Sequence, residues 1–414
     1  MNASISKTAE RAPDSAARQW TATGIVGAGH FVSHFYVLCL AALLPAMARD
    51  LQVGYVQLGL ISTSFFIAAT AVQMPVGMLV DRIGARRMLW VGMLVVSSAI
   101  TLAGMTDSYL ALVGLFVVAG AGNSVFHPCD YVILSASVEK ARHGRAFSFH
   151  SLCGTGGFAV APLVMGTLSA LFDWRFALVV TGLIGVAIAF LMLVLSGRLR
   201  DDVARKSKRG GQFRSTWQAM MSRRILAHFV YFATSSMATS AIGSFSIVVL
   251  VAFYGVSETL AGGVLSANLI AAVVGVMIGG VLADRTQRRD LVLVTMLSVA
   301  ALATAAVATG ALPFWLAAVL LTVAGLTKGI ISPSRDLMVR DDAPPALLGA
   351  VVAFVTIGFT IGNATAPVVS GWLVDFGSPL AVYWFAAALT LVAISCVLIS
   401  RDAPPLDQGE ASHS

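Results

Sequence analysis

Charge is what this sequence has least of. Only 11% of its 414 residues are Asp, Glu, Lys or Arg, while 57% are hydrophobic, against about a quarter charged and about half apolar in soluble domains. That excludes a water-soluble globular protein, and a mean hydropathy of +0.85 marks an integral membrane protein. Each membrane-spanning helix needs about 20 residues, so the chain holds many spans and no large soluble domain. Cysteine is sparse too: Cys39, Cys129, Cys153 and Cys396 all fall in apolar segments with no C-x-x-C pair, which argues against disulfides and against a cysteine metal site. No GxxxxGK[ST] loop occurs, which disfavours ATP-driven pumping. Residues 1–21 lack the short apolar core and small-residue cleavage site of a signal peptide and are expected to form a cytoplasmic tail. The net charge of +7 has no globular domain to present it to nucleic acid.

What is there is a series of apolar runs. They place helices at roughly 22–48, 56–80, 89–106, 108–132, 147–171, 176–196, 225–253, 259–283, 291–309, 314–335, 347–372 and 380–400. Of the 27 Lys and Arg, all except Arg49, Arg175 and the intraspan Lys328 then fall on one side. By the positive-inside rule that side, with both termini, is cytoplasmic. An odd number of spans would destroy the asymmetry. The basic stretch 197–224 is the long polar interruption and falls at the midpoint. The expected organisation is a tail at 1–21, six helices in 22–196, a cytoplasmic linker at 197–224, six helices in 225–400 and a tail at 401–414.

The chain also repeats itself. GMLVDR at Gly77 to Arg82 recurs as GVLADR at Gly280 to Arg285. Val118 to Gly120 recurs at Val323 to Gly325, Pro128 as Pro333, Gly144 as Gly349, Gly157 as Gly362, Pro162 as Pro367 and Gly166 as Gly371, all in one register. The expected fold is all-α: twelve transmembrane helices in two pseudo-symmetric six-helix bundles.

Twelve spans in two copies, each with G-x-L-x-D-R between its second and third helices, resemble the major facilitator superfamily of secondary transporters. GMLVDRIGARR follows that family's loop signature at nearly every position. A narrower likeness, carried by GAGNSVFHP, the RHG at Arg142 to Gly144, Gly154, Gly157 and Pro162, points to the fosmidomycin-resistance branch of drug exporters. The resemblance implies a gating loop of Gly77, Asp81, Arg82, Gly84, Arg86 and Arg87, with a second copy at Gly280, Asp284 and Arg285. In the family it latches the cytoplasmic side against the eleventh helix. Asp81 stands at a helix C-terminus, where the dipole is already negative, so something positive has to compensate it. The alternative for the arginines is that they only set topology. The family's antiporter signature has Gly directly before Pro on the fifth helix, whereas here Ala161 precedes Pro162.

The first, fourth, seventh and tenth helices line the family's central cavity, and polar residues gather on three of them: His30 and His34, then Asn123, His127 and Asp130, then Lys328. His30 and His34 lie four apart, on one helical face. A Lys at a helix centre costs about 2.5–3.5 kcal/mol to insert, so Lys328 is expected to face water or a partner. It either attracts an anionic substrate or forms an ion pair or snorkels. Each histidine is either packed and hydrogen-bonded or carries protons, for which its titration near neutral pH suits it. Asp130 is a coupling acid or an interface charge. His150 and Asn363 are further candidates. Pro128 and Pro333 are expected to kink or end their helices. The glycines Gly154, Gly157, Gly166, Gly358, Gly362 and Gly371 suit close helix crossing in lipid, and Pro162 and Pro367 are counted with them as packing positions.

These features point to a proton-coupled secondary transporter of a small organic anion or drug-like molecule in the bacterial inner membrane, acting as a monomer without cofactor or metal, with export favoured. Import by proton symport is an alternative. His30-x-x-x-His34 raises an intramembrane metalloenzyme, against which stands the lack of an acidic ligand beside the pair. A receptor that binds without transporting is the third reading.

Overall fold

The structure, a computed structural model, describes residues 15–201, 220–343 and 347–402; the side chains of residues 74, 77, 78, 81 and 348–350 also lie outside it. The first half comprises α1 (Ala16–Leu38), α2 (Leu44–Leu51), α3 (Tyr55–Ile83), α4 (Ala85–Ala103), α5 (Tyr109–Asn123), α6 (Phe126–Ser137), α7 (His143–Leu171) and α8 (Trp174–Leu195). The second comprises α9 (Arg223–Tyr254), α10 (Glu258–Arg285), α11 (Arg289–Ala308), α12 (Phe314–Asp342), α13 (Leu348–Phe376) and α14 (Ala381–Asp402). Helix is what lipid demands here, because a backbone amide inside the bilayer has no water to bond. Side chains of Ser15, Ser108, Asp173, Ser222 and Ser257 cap α1, α5, α8, α9 and α10 by accepting from free first-turn amides.

Eleven segments among the described residues are long and apolar enough to cross a membrane, with α5 and α6 counted as one. The remaining span is α1 continued by α2, whose Thr21, Thr23, His30, Ser33 and His34 lower its hydropathy. Its helix starts at Ala16, six residues before the expected start. The fourth span is interrupted at Ser124 and Val125, just ahead of Pro128 in the first turn of α6. Pro333, its counterpart, neither ends nor interrupts α12, which runs unbroken from Phe314 to Asp342. The repeat therefore preserves the proline without preserving the break.

Basic residues 82–87, 140–145, 198–200 and 285–289 gather at one end of the molecule, here the basic end; the turns at 52–54, 104–108, 255–257 and 309–313 mark the opposite end. Within the first bundle α1 packs on α7, α3 on α5 and α4 on α8, and in the second α9 packs on α13, α10 on α12 and α11 on α14. The two sets correspond. Gly157 of α7 lies against the Phe31 carbonyl of α1, and Gly362 of α13 lies against the Ala233 carbonyl of α9. Gly120 meets the Phe65 carbonyl, and Gly325 meets that of Asn268. A methyl group at any of these positions would overlap backbone, so each crossing is closer than another residue allows.

The bundles meet through α3 with α13 and α7 with α10. There Gly59 packs on the carbonyl of Pro367, and Gly262 on the carbonyl of Pro162. These prolines sit inside unbroken helices, and their carbonyls form the surface on which the partner bundle's glycine rests.

Candidate functional site

The polar stretch turns Asp130 into protein and leaves His127 exposed. The break after Asn123 turns α6 so that Asp130 is fully buried between α1 and α7, with His30 only 3% exposed and His150 only 4%. Asp130 Oδ2 accepts a hydrogen bond from His150 Nε2 at 2.9 Å, and His30 Nδ1 stands 3.0 Å from the same oxygen. The His30 contact is too poorly aligned for a hydrogen bond, so His30 Nδ1 is buried without a partner among the described residues, as is the other carboxylate oxygen, Asp130 Oδ1. The His30 and His150 rings stack, with centroids 3.7 Å apart. An ionised Asp130 requires the proton of His150 on Nε2, which fixes that tautomer.

Two more imidazoles extend the cluster. His34, one turn beyond His30 on α1, has its ring centroid 4.3 Å from that of His30. His127 stands 5.1 Å from His30 and 5.7 Å from His34, and it is exposed where the others are not. The expected His30–His34 face is therefore present, with His150 and Asp130 as its neighbours. Donor atoms of His30, Asp130 and His150 lie within 4.8 Å of one another, a spacing that their sharing of one carboxylate oxygen accounts for. Room for the histidines comes from Gly154, where a Cβ would stand 2.6 Å from His30 Cδ2 and 3.1 Å from His34 Cε1. This glycine thus accommodates the histidine pair, beyond the helix packing expected of it.

Asn123 ends α5 with its Oδ1 buried and without a partner among the described residues. Lys328 lies mid-way along α12 and is partly exposed. Among the described residues no carboxylate pairs with it. Asn363 on α13 donates its amide nitrogen to the Phe359 carbonyl of its own helix, at 3.0 Å.

In the loop after α3, Gly84 has φ +95° and a Cβ there would meet Asp201. Asp201 accepts from both the backbone and the side chain of Arg86, at 3.2 and 3.0 Å. That partner, on the chain leaving α8, was not foreseen in the sequence. Arg82 and Arg87 are exposed, while the surroundings of Gly77 and Asp81 lie outside the described residues. In the second copy Asp284 and Arg285 are exposed, and a Cβ on Gly280 would meet nothing within 4 Å. Gly166 makes only ordinary contact, 3.5 Å from the Glu258 carbonyl, whereas Gly371 and Gly358 press on the carbonyls of Tyr55 and Phe229.

A second buried ionic group also escaped sequence reasoning. At the basic end of the second bundle, His228 Nε2 and Arg224 each lie 2.7 Å from Asp342, with Ser400 Oγ 3.3 Å from the same carboxylate. Its signal was the Arg224–His228 spacing of four residues at the start of α9. The repeat register puts Gln19, Thr23 and Ser137 at the matching places of the first bundle.

Comparison with known proteins agrees with this architecture. The sequence model of the Major Facilitator Superfamily matches residues 26–250 and 229–414. The chain belongs to the major facilitator superfamily. Members of this superfamily are transporters, which sets aside the metalloenzyme reading. As a member, the chain is 26% identical to an uncharacterized MFS-type transporter, YfnC, of Bacillus subtilis, covering 91% of this chain and 92% of that protein. It is 24% identical to the fosmidomycin resistance protein of Escherichia coli, over 92% of this chain and 93% of the relative. A bacterial homolog of the human lysosomal transporter Spinster, solved in an inward-facing and unoccupied conformation, superposes with a TM-score of 0.75 at 14% identity, covering 94% of this chain and 96% of that one.

Proposed function

We propose that this superfamily member is a proton-coupled carrier working by alternating access, with a small organic anion or drug-like molecule as cargo. The observation that carries the coupling reading is Asp130, fully buried and contacted through one oxygen by His30 and His150. A buried carboxylate is costly unless paired, and charged groups within a bundle interior mark ion pathways. The groups that face it are His30 and His34 from α1, His127 from its own helix and His150 from α7; α4 brings its charges, Arg86 and Arg87, only at the basic end. A proton entering from the space between the bundles at His127 passes His34 and His30 to Asp130. Once neutral, Asp130 loses the charge that strengthens its hydrogen bond with His150, which loosens α6 from α7. Lys328 sits across the pseudo-twofold axis and supplies the positive charge for an anion. The basic end is cytoplasmic, which puts both termini on the cytoplasmic side of a bacterial inner membrane.

Export follows from the likeness to the fosmidomycin resistance protein. Import by symport is the second reading, favoured by Ala161 before Pro162 and by electrostatics: protonating Asp130 makes the site more positive and so raises its affinity for an anion.

The test is a substrate screen in proteoliposomes loaded with a pH-sensitive dye. Cargo entering by symport acidifies the lumen, and cargo exchanging for protons makes it alkaline. Asp130→Asn should abolish that pH change yet keep substrate counterflow. A pH change that survives in the variant refutes Asp130 as the carrier, and stoichiometric zinc in the purified protein would replace the proton reading with a metal one.

A further inference from the structure

At the end opposite the basic loops, two charged contacts cross between bundles. Asp375, next to last in α13, receives the Tyr55 amide on Oδ1 at 2.9 Å and the Val56 amide on Oδ2 at 2.8 Å. Arg49 in the last turn of α2 pairs with Glu258, the first residue of α10, at 2.6 Å.

The two contacts differ in weight. The Arg49 side chain is 66% exposed, and such surface pairs contribute little. Asp375 does more, because it answers a need that α3 cannot meet itself. The first amides of a helix have no partner within it and carry its positive dipole end. The N-cap position of α3 is Gly54, which has no side chain to offer. Asp375, for its part, stands at the C-terminus of its own helix, where a negative charge is unfavourable. Asp375 is thus out of place in its own bundle and serves the Tyr55 and Val56 amides of the other, while within α3 Gln57 Oε1 accepts from the Gly54 amide at 2.7 Å. Gly54 also makes the approach possible, since a Cβ there would stand 2.8 Å from Asp375 Oδ2.

We propose that Asp375 is the gate at this end of the molecule: its carboxylate caps α3 across the bundle interface and withdraws when that end opens. The proposal rests on the alternating-access reading, but on neither proton coupling nor the nature of the cargo.

Full-length protein in lipid nanodiscs, without substrate or pH gradient, tests it by pulsed electron paramagnetic resonance on a Cys153→Ser background. Spin labels at Met105 and Ala311 report the gated end; labels at Lys140 and Arg288 report the basic end. Asp375→Ala removes the cap. Gly54→Ser supplies one from within α3, so the helix stays capped while the new side chain displaces Asp375. Both variants should raise the ratio of long to short distances between Met105 and Ala311 by roughly tenfold, in line with the loss of one helix cap, and shorten the basic-end distances. An unchanged Met105–Ala311 distribution in Gly54→Ser overturns the proposal and makes Asp375 a structural cap only. Because these distances are read without cargo or gradient and with Asp130 intact, their outcome does not depend on whether Asp130 carries the proton.

Discussion

Gly154→Ala puts the histidine cluster to its sharpest test. The new methyl carbon would lie 2.6 Å from Cδ2 and 2.7 Å from Nε2 of His30, and 3.1 Å from Cε1 of His34. Comfortable carbon contacts begin near 3.5 Å, so the His30 ring has to retreat by about 1 Å. It cannot do so freely, because His150 stacks on it at 3.7 Å and Asp130 stands 3.0 Å from its Nδ1. Overpacking of this kind costs about 1–3 kcal/mol. Displacement of His30 breaks the route between His34 and Asp130, so proton-driven transport should fall at least about tenfold, in line with 1.4 kcal/mol per factor of ten. The assay pairs a thermal melt of detergent-purified protein with the pH profile of uptake in proteoliposomes. Gly156→Ala is the control, since its Cβ would meet Phe31 at an ordinary 3.5 Å and should leave both readings as in the parent. If Gly154→Ala also behaves as the parent does, the four imidazoles are not packed as described, and the relay built on them fails.

Other expectations can be checked with the same vesicles. Lys328→Ala should abolish transport of an anion while the melting temperature stays within a few degrees, and unchanged kinetics would remove it from the cargo site. Replacing His34 and His127 together with Gln should flatten the pH dependence of transport; a surviving profile would put the relay elsewhere. Asp81→Asn should slow turnover more than it weakens binding, measured as kcat against Kd, whereas equal losses would contradict a latch.

Much of this architecture is readable before any coordinates. Span positions follow from hydropathy because lipid punishes every unpaired amide, and the repeat in the glycines and prolines foreshadows the matched crossings of Gly157 with Phe31 and Gly362 with Ala233. The family follows from GMLVDRIGARR and its copy. Less legible were contacts between residues far apart in the chain. Asp201 lies 115 positions from Arg86, and Asp342 lies 114 from His228; no local pattern links either pair. Pro128 and Pro333 show the limit from another side, since the same residue in the same register attends a broken helix once and an unbroken one once.

Composition, periodicity and the basic loops by themselves determined that this protein is a membrane-embedded duplication of six helices, because bilayer thickness and the energetics of buried amides leave few other solutions. They also named the residues too polar for lipid. Only the tertiary structure decided how those residues combine: Asp130 with His150 and His30, Gly154 as the space they occupy, and Asp375 as the cap that Gly54 cannot provide. Such pairings depend on helix rotation and on approach distances of an ångström or less, and those are set by packing between segments that the order of residues along the chain does not encode locally.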